Sequence, residues 1–198
     1  LKTHEKYLIL AQQKSQKSYG FNFPSPSVGC VIVDYFNNKG GKVISYGSTG
    51  IDGRPHAEEI ALNNIKRNYK KLIMYVTLEP CFHVSRNLSC VDQIIKFGIE
   101  NIYIATKDPD FRTNSKSIKK LKKNNIKVNV GLTKNLTYKI NRFFYINKKL
   151  NRSYVKFKMA VSKDFKIKNI KDNNKWISSF YSRKYSHNLR FQSDAILT

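Results

Sequence analysis

Hydrophobic positions along the chain follow two spacings, one typical of helices and one typical of buried strands. Apolar residues three and four apart predict helices over about residues 3–15, 55–68, 89–97, 115–124 and 133–147. Short apolar runs bounded by turn residues predict strands over residues 28–35, 42–47, 72–78, 101–106 and 127–130. Pro55 is expected at the first helical position of the second helix, and Gly98 as the cap of the third. Strands alternating with crossover helices predict an α/β layered domain over residues 1–147.

The pattern changes after a polar run at residues 147–153, which marks a candidate domain boundary. A strand-like segment is predicted at residues 154–161, a helix at 179–189 and the beginning of a further strand at 193–198. About 45 residues are too few for a comfortable independent core. We therefore expect residues 153–198 to be an incomplete second domain.

The charge of the chain is strongly positive. It has 37 lysine and arginine residues against 13 aspartate and glutamate residues, a net charge of +24. A nucleic-acid partner is one interpretation. The basic residues are dispersed over almost every segment, which favours compositional drift toward lysine over a nucleic-acid surface. A phosphorylated small molecule would also be attracted by a positive field, and we expect that kind of partner.

Cysteine usage and hydrophobicity indicate the compartment. The three cysteines, an odd number without a secretory signal, indicate a reducing environment, and we expect a cytoplasmic protein. No apolar run approaches the roughly 20 residues that span a bilayer, so a membrane partner is not expected. The oligomeric state stays open, with a homo-oligomer among the alternatives.

Three residues far apart in the sequence have the side chains of a catalytic zinc site. His56 stands in the segment PHAE, Cys81 follows Glu79-Pro80, and Cys90 comes later. One imidazole and two thiolates leave the fourth tetrahedral position of zinc open for water, as in catalytic sites. Zinc lowers the pKa of a bound water from 15.7 to roughly 7. The sequence therefore predicts Zn²⁺ held by His56, Cys81 and Cys90.

Glu58 is the candidate catalytic residue. It lies two positions after His56, near the metal without being needed as a ligand, where a carboxylate can carry a proton from water to a leaving amine. Zinc deaminases combine H-x-E with P-C-x-x-C, and in them the glutamate has this role. Here eight residues, not two, separate Cys81 from Cys90.

With this longer spacing the chain resembles the bacterial bifunctional riboflavin-biosynthesis deaminase–reductases, the RibD type. The matching motifs occur in the same order, at residues 24–33 (PSPSVGCVIV), 53–58 (GRPHAE), 77–90 (TLEPCFHVSRNLSC), 108–110 (DPD), 155–164 (VKFKMAVSKD), 176–178 (WIS) and 187–190 (HNLR). The resemblance implies a three-layer cytidine-deaminase-like domain with a mixed sheet, followed by the truncated start of a dihydrofolate-reductase-like α/β domain.

The resemblance also implies the reaction and further site residues. The implied activity is zinc-dependent deamination of 2,5-diamino-6-ribosylamino-4(3H)-pyrimidinone 5′-phosphate, here called the diaminopyrimidine phosphate. A reductase domain using NADPH would act on the product, 5-amino-6-(5-phosphoribosylamino)uracil. The deaminase substrate would contact Ser25, Thr49, His83 and Arg86. In the second domain the nucleotide would lie near Lys158, Ala160 and Trp176, and the substrate near Asn174 and Arg190.

The chain departs from the family pattern around the substrate. Ser25 replaces an asparagine and Thr49 a histidine, and residues 85–89 (SRNLS) lack a glycine and two prolines. Losing the two prolines loosens the loop, because proline fixes the backbone, and losing the glycine removes a position with unusual backbone freedom. Two alternatives therefore stay open: a zinc deaminase acting on tRNA or a nucleobase, and a degenerate zinc-binding scaffold without activity.

Overall fold

A computed structural model describes residues 2–36, 40–66, 69–83, 88–167 and 176–197. The chain divides into two compact units, which we call unit 1 (Leu1–Ser153) and unit 2 (Tyr154–Thr198). Each unit is described by itself. None of the helices in the described ranges is both long and apolar enough to cross a bilayer.

Unit 1 consists of strands and helices that largely alternate. The strands are β1 (Gly29–Asp34), β2 (Lys42–Ser48), β3 (Leu72–Leu78), β4 (Asn101–Thr106) and β5 (Lys127–Val130). The helices are α1 (Lys2–Ser15), α2 (Ala57–Asn63), α3 (Cys90–Phe97), α4 (Lys116–Lys123), α5 (Lys134–Ile140) and α6 (Arg142–Leu150). Short 3₁₀ turns lie at Gln16–Ser18 and Ile51–Gly53.

The five strands form one mixed sheet in the order β2-β1-β3-β4-β5. Strand β1 is antiparallel to both β2 and β3, whereas β3, β4 and β5 run parallel. The carboxyl ends of β2, β3 and β4 and the amino end of β1 therefore share one edge of the sheet. Loops that leave this edge are brought close together, and they carry the site described below.

The sheet is covered on both faces, because successive residues of a strand point to opposite sides. On one face, α1 packs Tyr7, Leu8 and Ala11 against side chains that include Val31 and Tyr75. On the other face, a larger cluster joins the sheet to α2, α3 and α4. The expected cytidine-deaminase-like layering with a mixed sheet is confirmed for unit 1.

Two predicted helices begin or end differently from expectation. Helix α2 begins at Ala57 with His56 as its N-cap, so placing Pro55 at the first helical position was wrong. The carbonyl of Pro55 accepts a hydrogen bond from the Gly50 amide at 2.9 Å, which keeps this residue in the preceding loop. The helix ends at Asn63, before the expected residue 68, which lies outside the described ranges.

The single helix expected over 133–147 is two helices, α5 and α6, separated at Asn141. The buried Asn141 side chain accepts a hydrogen bond from the Ser27 amide at 2.8 Å and donates one to the Ser27 carbonyl at 2.9 Å. These two bonds tie the helix break to the segment that precedes β1. They thereby place α6 beside the edge of the sheet that carries the site.

Unit 2 contains one helix, α7 (Phe180–Phe191), among its described residues. The strands predicted at residues 154–161 and 193–198 were wrong, because the described residues there form no strand. A strand is stable only when its backbone groups find a partner strand, and the described part of unit 2 supplies none. No described side chain of unit 2 is buried.

Candidate metal centre and its cavity

His56 is held at the amino end of α2 by close packing between α2 and β2. A Cβ atom added at Gly47 in β2 would lie only 2.1 Å from the Ala57 carbonyl oxygen, so glycine is needed for this approach. The N-cap residue has extended backbone geometry, with φ −71° and ψ 157°, which turns the His56 side chain out of the helix. Gly47, nine positions before His56 in the sequence, thus helps to determine where the imidazole lies.

The two cysteines come from the segment between β3 and α3. Cys81 lies after Pro80 at the end of β3, and Cys90 is the first residue of α3. Ser89 caps this helix by accepting a hydrogen bond from the Asp92 amide at 3.1 Å. The Cys90 amide donates to the Cys81 sulfur at 3.3 Å, so the amino end of α3 supports negative charge on that sulfur.

The ligand atoms of His56, Cys81 and Cys90 all lie within 4.8 Å of one another. Nδ1 of His56 is 3.1 Å from Sγ of Cys90, and both cysteines are buried. Hydrogen bonds from the Cys90 and His56 side chains lower the pKa of the Cys81 thiol, which favours the thiolate that binds metals. One imidazole and two sulfurs in contact form a donor set that fits zinc.

Glu58 lies in the first turn of α2, two residues after His56. Its side chain is almost fully buried, and burial raises the pKa of its carboxyl group to about 7, although the nearby His56 counteracts this rise. A carboxyl group with a pKa near 7 can both accept and give up a proton at neutral pH. Glu58 therefore has the burial and the acidity that a proton carrier needs.

A cavity of about 250 Å³ opens beside this group of side chains, at the shared edge of the sheet. Of the residues expected to contact substrate in this domain, Ser25, Thr49 and His83 line it. The Thr49 hydroxyl accepts from the Val28 amide at 2.9 Å and donates to the Pro26 carbonyl at 3.1 Å, so it also supports the wall.

His83 differs from Thr49, since its ring nitrogen Nδ1 is buried and has no hydrogen-bond partner in the described structure. A buried polar atom at a cavity wall without a protein partner is suited to binding a ligand. Arg86, the fourth expected substrate contact, lies outside the described residues.

The positions expected to bind a nucleotide in unit 2 are not enclosed. Lys158 is exposed, Ala160 is half-buried, and the Trp176 ring is 56% exposed with the Arg183 guanidinium 4.6 Å from its centre. Two residues were expected near the reductase substrate. Of these, Asn174 lies outside the described residues, and Arg190 is exposed. A nucleotide site needs side chains that surround the ligand, and these described residues do not fit NADPH. NADPH remains the cofactor that the resemblance implies for the reductase domain of the family.

Sequence reasoning missed a group of charged residues that also line the cavity: Glu79, Asp108, Asp110, Arg112 and Lys148. The Asp-Pro-Asp segment was identified only as a family motif, without a role at the cavity. Lys148 could have been found from helical spacing, because it lies four residues after Phe144, which lines the same cavity.

Glu79 ties the ends of two strands together. One carboxylate oxygen accepts from the Asp108 amide at 3.3 Å and the Ser115 amide at 3.1 Å, while the other has no partner in the described structure. Burial raises the pKa of Glu79, and burial raises the pKa of Asp108 to about 7. Two buried carboxyl groups therefore line the cavity, and burial weakens their ionisation.

The chain is similar to known proteins over nearly all of its length. A family model described as the cytidine and deoxycytidylate deaminase zinc-binding region matches residues 1–106. The riboflavin biosynthesis protein RibD of Aquifex aeolicus is 36% identical over 191 residues, which are 96% of this chain and 52% of that protein. The chain thus spans about half the length of the curated relatives it matches.

Two solved structures give the same picture. A diaminohydroxyphosphoribosylaminopyrimidine deaminase/5-amino-6-(5-phosphoribosylamino)uracil reductase from Thermotoga maritima is 29% identical with a TM-score of 0.86, covering 95% of this chain and 53% of that one. The Aspergillus oryzae Rib2 deaminase in complex with DARIPP is 26% identical with a TM-score of 0.60, covering 75% of this chain and 94% of that one. The resemblance to the RibD type is therefore confirmed.

Proposed function

Because the chain belongs to the cytidine and deoxycytidylate deaminase zinc-binding family, we propose that unit 1 catalyses hydrolytic deamination of the diaminopyrimidine phosphate in riboflavin biosynthesis. The observation that carries this proposal is the grouping of the His56, Cys81 and Cys90 ligand atoms within 4.8 Å of one another, beside a cavity that His56, Cys81 and Glu58 line. The names of the similar proteins support the substrate, since they describe riboflavin biosynthesis and deamination of a phosphoribosylaminopyrimidine.

In this proposal His56, Cys81 and Cys90 hold one zinc ion. When bound, zinc supplies a water molecule that is acidic enough to react near neutral pH. The thiolate ligands suit a reducing compartment, which supports the cytoplasm as the location.

Glu58 moves the protons of the reaction. Water adds to the ring carbon that bears the 2-amino group. Glu58 carries one proton of this water to the adjacent ring nitrogen and the other to the departing nitrogen. The C–N bond breaks, ammonia leaves, and a ring carbonyl remains.

The remaining wall orients the substrate. Nδ1 of His83 lacks a protein partner, so a polar group of the pyrimidine ring can satisfy it. Unit 2 corresponds in this proposal to the opening part of the reductase domain of the longer relatives. It carries family motifs, but its residues at 154–167 and 176–197 do not enclose a nucleotide, so no NADPH-dependent step is assigned to it.

The test is release of ammonia by the zinc-loaded chain, measured separately with the diaminopyrimidine phosphate and with tRNA. We expect ammonia from the phosphate and none from tRNA. The net charge of +24 supports the second candidate, a nucleic-acid deaminase, and ammonia from tRNA alone would favour it. Ammonia from neither compound would contradict the proposal and leave a zinc-binding scaffold.

A further inference from the structure

Two cations lie together at the cavity wall, and the zinc chemistry does not use them. Arg112 follows β4 and Lys148 lies on α6, yet both contact the carboxylate of Asp110. Arg112 binds it with two groups: Nη2 lies 2.7 Å from Oδ2, and Nε lies 3.0 Å from Oδ1. Nζ of Lys148 lies 3.0 Å from Oδ2. We call these three residues the cationic triad.

The carboxylate of the triad is buried, whereas its two cations are open to solvent. The Asp110 side chain is 6% exposed, whereas the side chains of Arg112 and Lys148 are 51% and 33% exposed. The Asp110 amide donates to the Asp108 carboxylate at 2.8 Å, which anchors the loop. The Arg112 guanidinium holds the pKa of Asp110 well below its usual range, so the triad carries one net positive charge.

The triad is also the only place on the described cavity wall with an arginine or lysine side chain. The other ionisable groups there are the zinc-site residues, His83 and the buried carboxyl groups of Glu79 and Asp108, which do not attract an anion. The contacts with Asp110 use Nε and Nη2 of Arg112 and one N–H of the Lys148 ammonium group. A guanidinium has five N–H donors and an ammonium three, so donors are left for a ligand.

We propose that Arg112 and Lys148 form the subsite that binds the phosphate group of the substrate, with Asp110 as the residue that positions them. The inference rests on the proposed function, since it assigns a place to the phosphate of that substrate. A phosphate monoester is close to a dianion at neutral pH and accepts charge-assisted hydrogen bonds from both kinds of cation. The pair thereby determines specificity for a phosphorylated over an unphosphorylated nucleoside.

The first experiment measures binding and needs no turnover. The zinc-loaded full chain is titrated calorimetrically with ribose 5-phosphate and with ribose. We expect the phosphate ester alone to bind, with Arg112→Gln and Lys148→Gln each weakening it about tenfold and the double variant about a hundredfold. Lys149→Gln, the matched control on the next residue of α6, should bind as the unchanged chain does. Equal binding by the unchanged chain and the double variant, or no binding to either, would overturn the subsite.

The second experiment uses the reaction. For the diaminopyrimidine phosphate, the same two variants should raise KM about tenfold and leave kcat unchanged, while deamination of the unphosphorylated nucleoside is unaffected. Asp110→Asn should raise KM several-fold with kcat kept, and Asp110→Glu should restore part of the loss. Unaltered preference for the phosphorylated compound in the double variant would refute the assignment. If no chain releases ammonia, the proposed deamination fails, and the titration alone decides on the subsite.

Discussion

Units 1 and 2 match the same relatives but differ in how their side chains are packed. In unit 1 Ile104 and Val76 are fully shielded from solvent between the sheet and its helices. In unit 2 the apolar side chains of Phe157 and Val155 are 85% and 76% exposed. Similarity of sequence therefore runs through both units, whereas the buried side chains among the described residues all lie in the first.

The difference shows what turns a motif into a site. Unit 1 brings His56, Cys81 and Cys90 together because strands and helices packed around a core hold the loops that carry them. Unit 2 has the family motifs around Lys158 and Trp176, but no buried side chain among its described residues fixes their positions. A pattern of residues becomes functional geometry only where a packed scaffold supports it.

The largest expected difference between the units concerns their histidines. His56→Ala removes one of three ligands, so we expect zinc to fall from about one ion per chain to nearly none and deamination to be lost. His187→Ala, on the exposed face of α7, is the matched control and should keep the metal. Elemental analysis of the purified chains measures this. Retention of zinc by the His56 variant would contradict the ligand assignment.

The next effect separates chemistry from metal binding within unit 1. Glu58→Gln keeps the shape of the side chain but cannot accept a proton, so kcat should fall roughly 10²- to 10⁴-fold while zinc is retained. Glu59→Gln is the control, since Glu59 lies on the same turn and faces Arg54 at 3.9 Å. Steady-state ammonia release compares the two, and a Glu58 variant as fast as the control would rule out the proton-carrying role.

A smaller effect tests the contrast in packing directly. Ile104→Ala removes a fully buried side chain, so the free energy of unfolding should fall by about 2–5 kcal/mol. Phe157→Ala removes a side chain that is 85% exposed, and the change should stay within about 0.5 kcal/mol. Urea denaturation followed by circular dichroism measures both. Equal losses would show that unit 2 has a core after all.

The smallest expected effect concerns the reductase activity, in which NADPH would reduce the uracil substrate. We expect no substrate-dependent oxidation of NADPH by the chain, because the described residues of unit 2 do not enclose a nucleotide. The absorbance of the reduced nicotinamide measures this, with the Ile104 variant and a protein-free sample as controls. Steady oxidation that requires the uracil substrate would abolish the contrast between the units.

The sequence predicted unit 1 well because its signals are local. The apolar run of β3 gave the observed bounds, Leu72–Leu78, and Gly98 ends α3 in the left-handed conformation with φ 81°. The helix break at Asn141 was missed because its cause, a pair of hydrogen bonds to Ser27, joins residues far apart in the chain. The predicted strand at residues 154–161 failed for the related reason that strand formation depends on a partner.

The same distinction holds for the site. His56, Glu58 and the two cysteines stand in short motifs whose chemistry can be deduced from residue type and spacing. Arg112 and Lys148 meet only through Asp110, and no local pattern connects a loop after β4 with a helix that follows much later. Ion pairs of this kind become visible when the fold is known.

X-ray absorption at the zinc edge of the metal-loaded chain tests the central claim most directly. The account predicts two sulfur ligands at about 2.3 Å and one nitrogen ligand at about 2.0–2.1 Å, with the remaining position taken by oxygen. His56→Ala should remove the nitrogen signal together with most of the metal. A zinc shell of four sulfurs, or one without sulfur, would contradict a centre made by His56, Cys81 and Cys90.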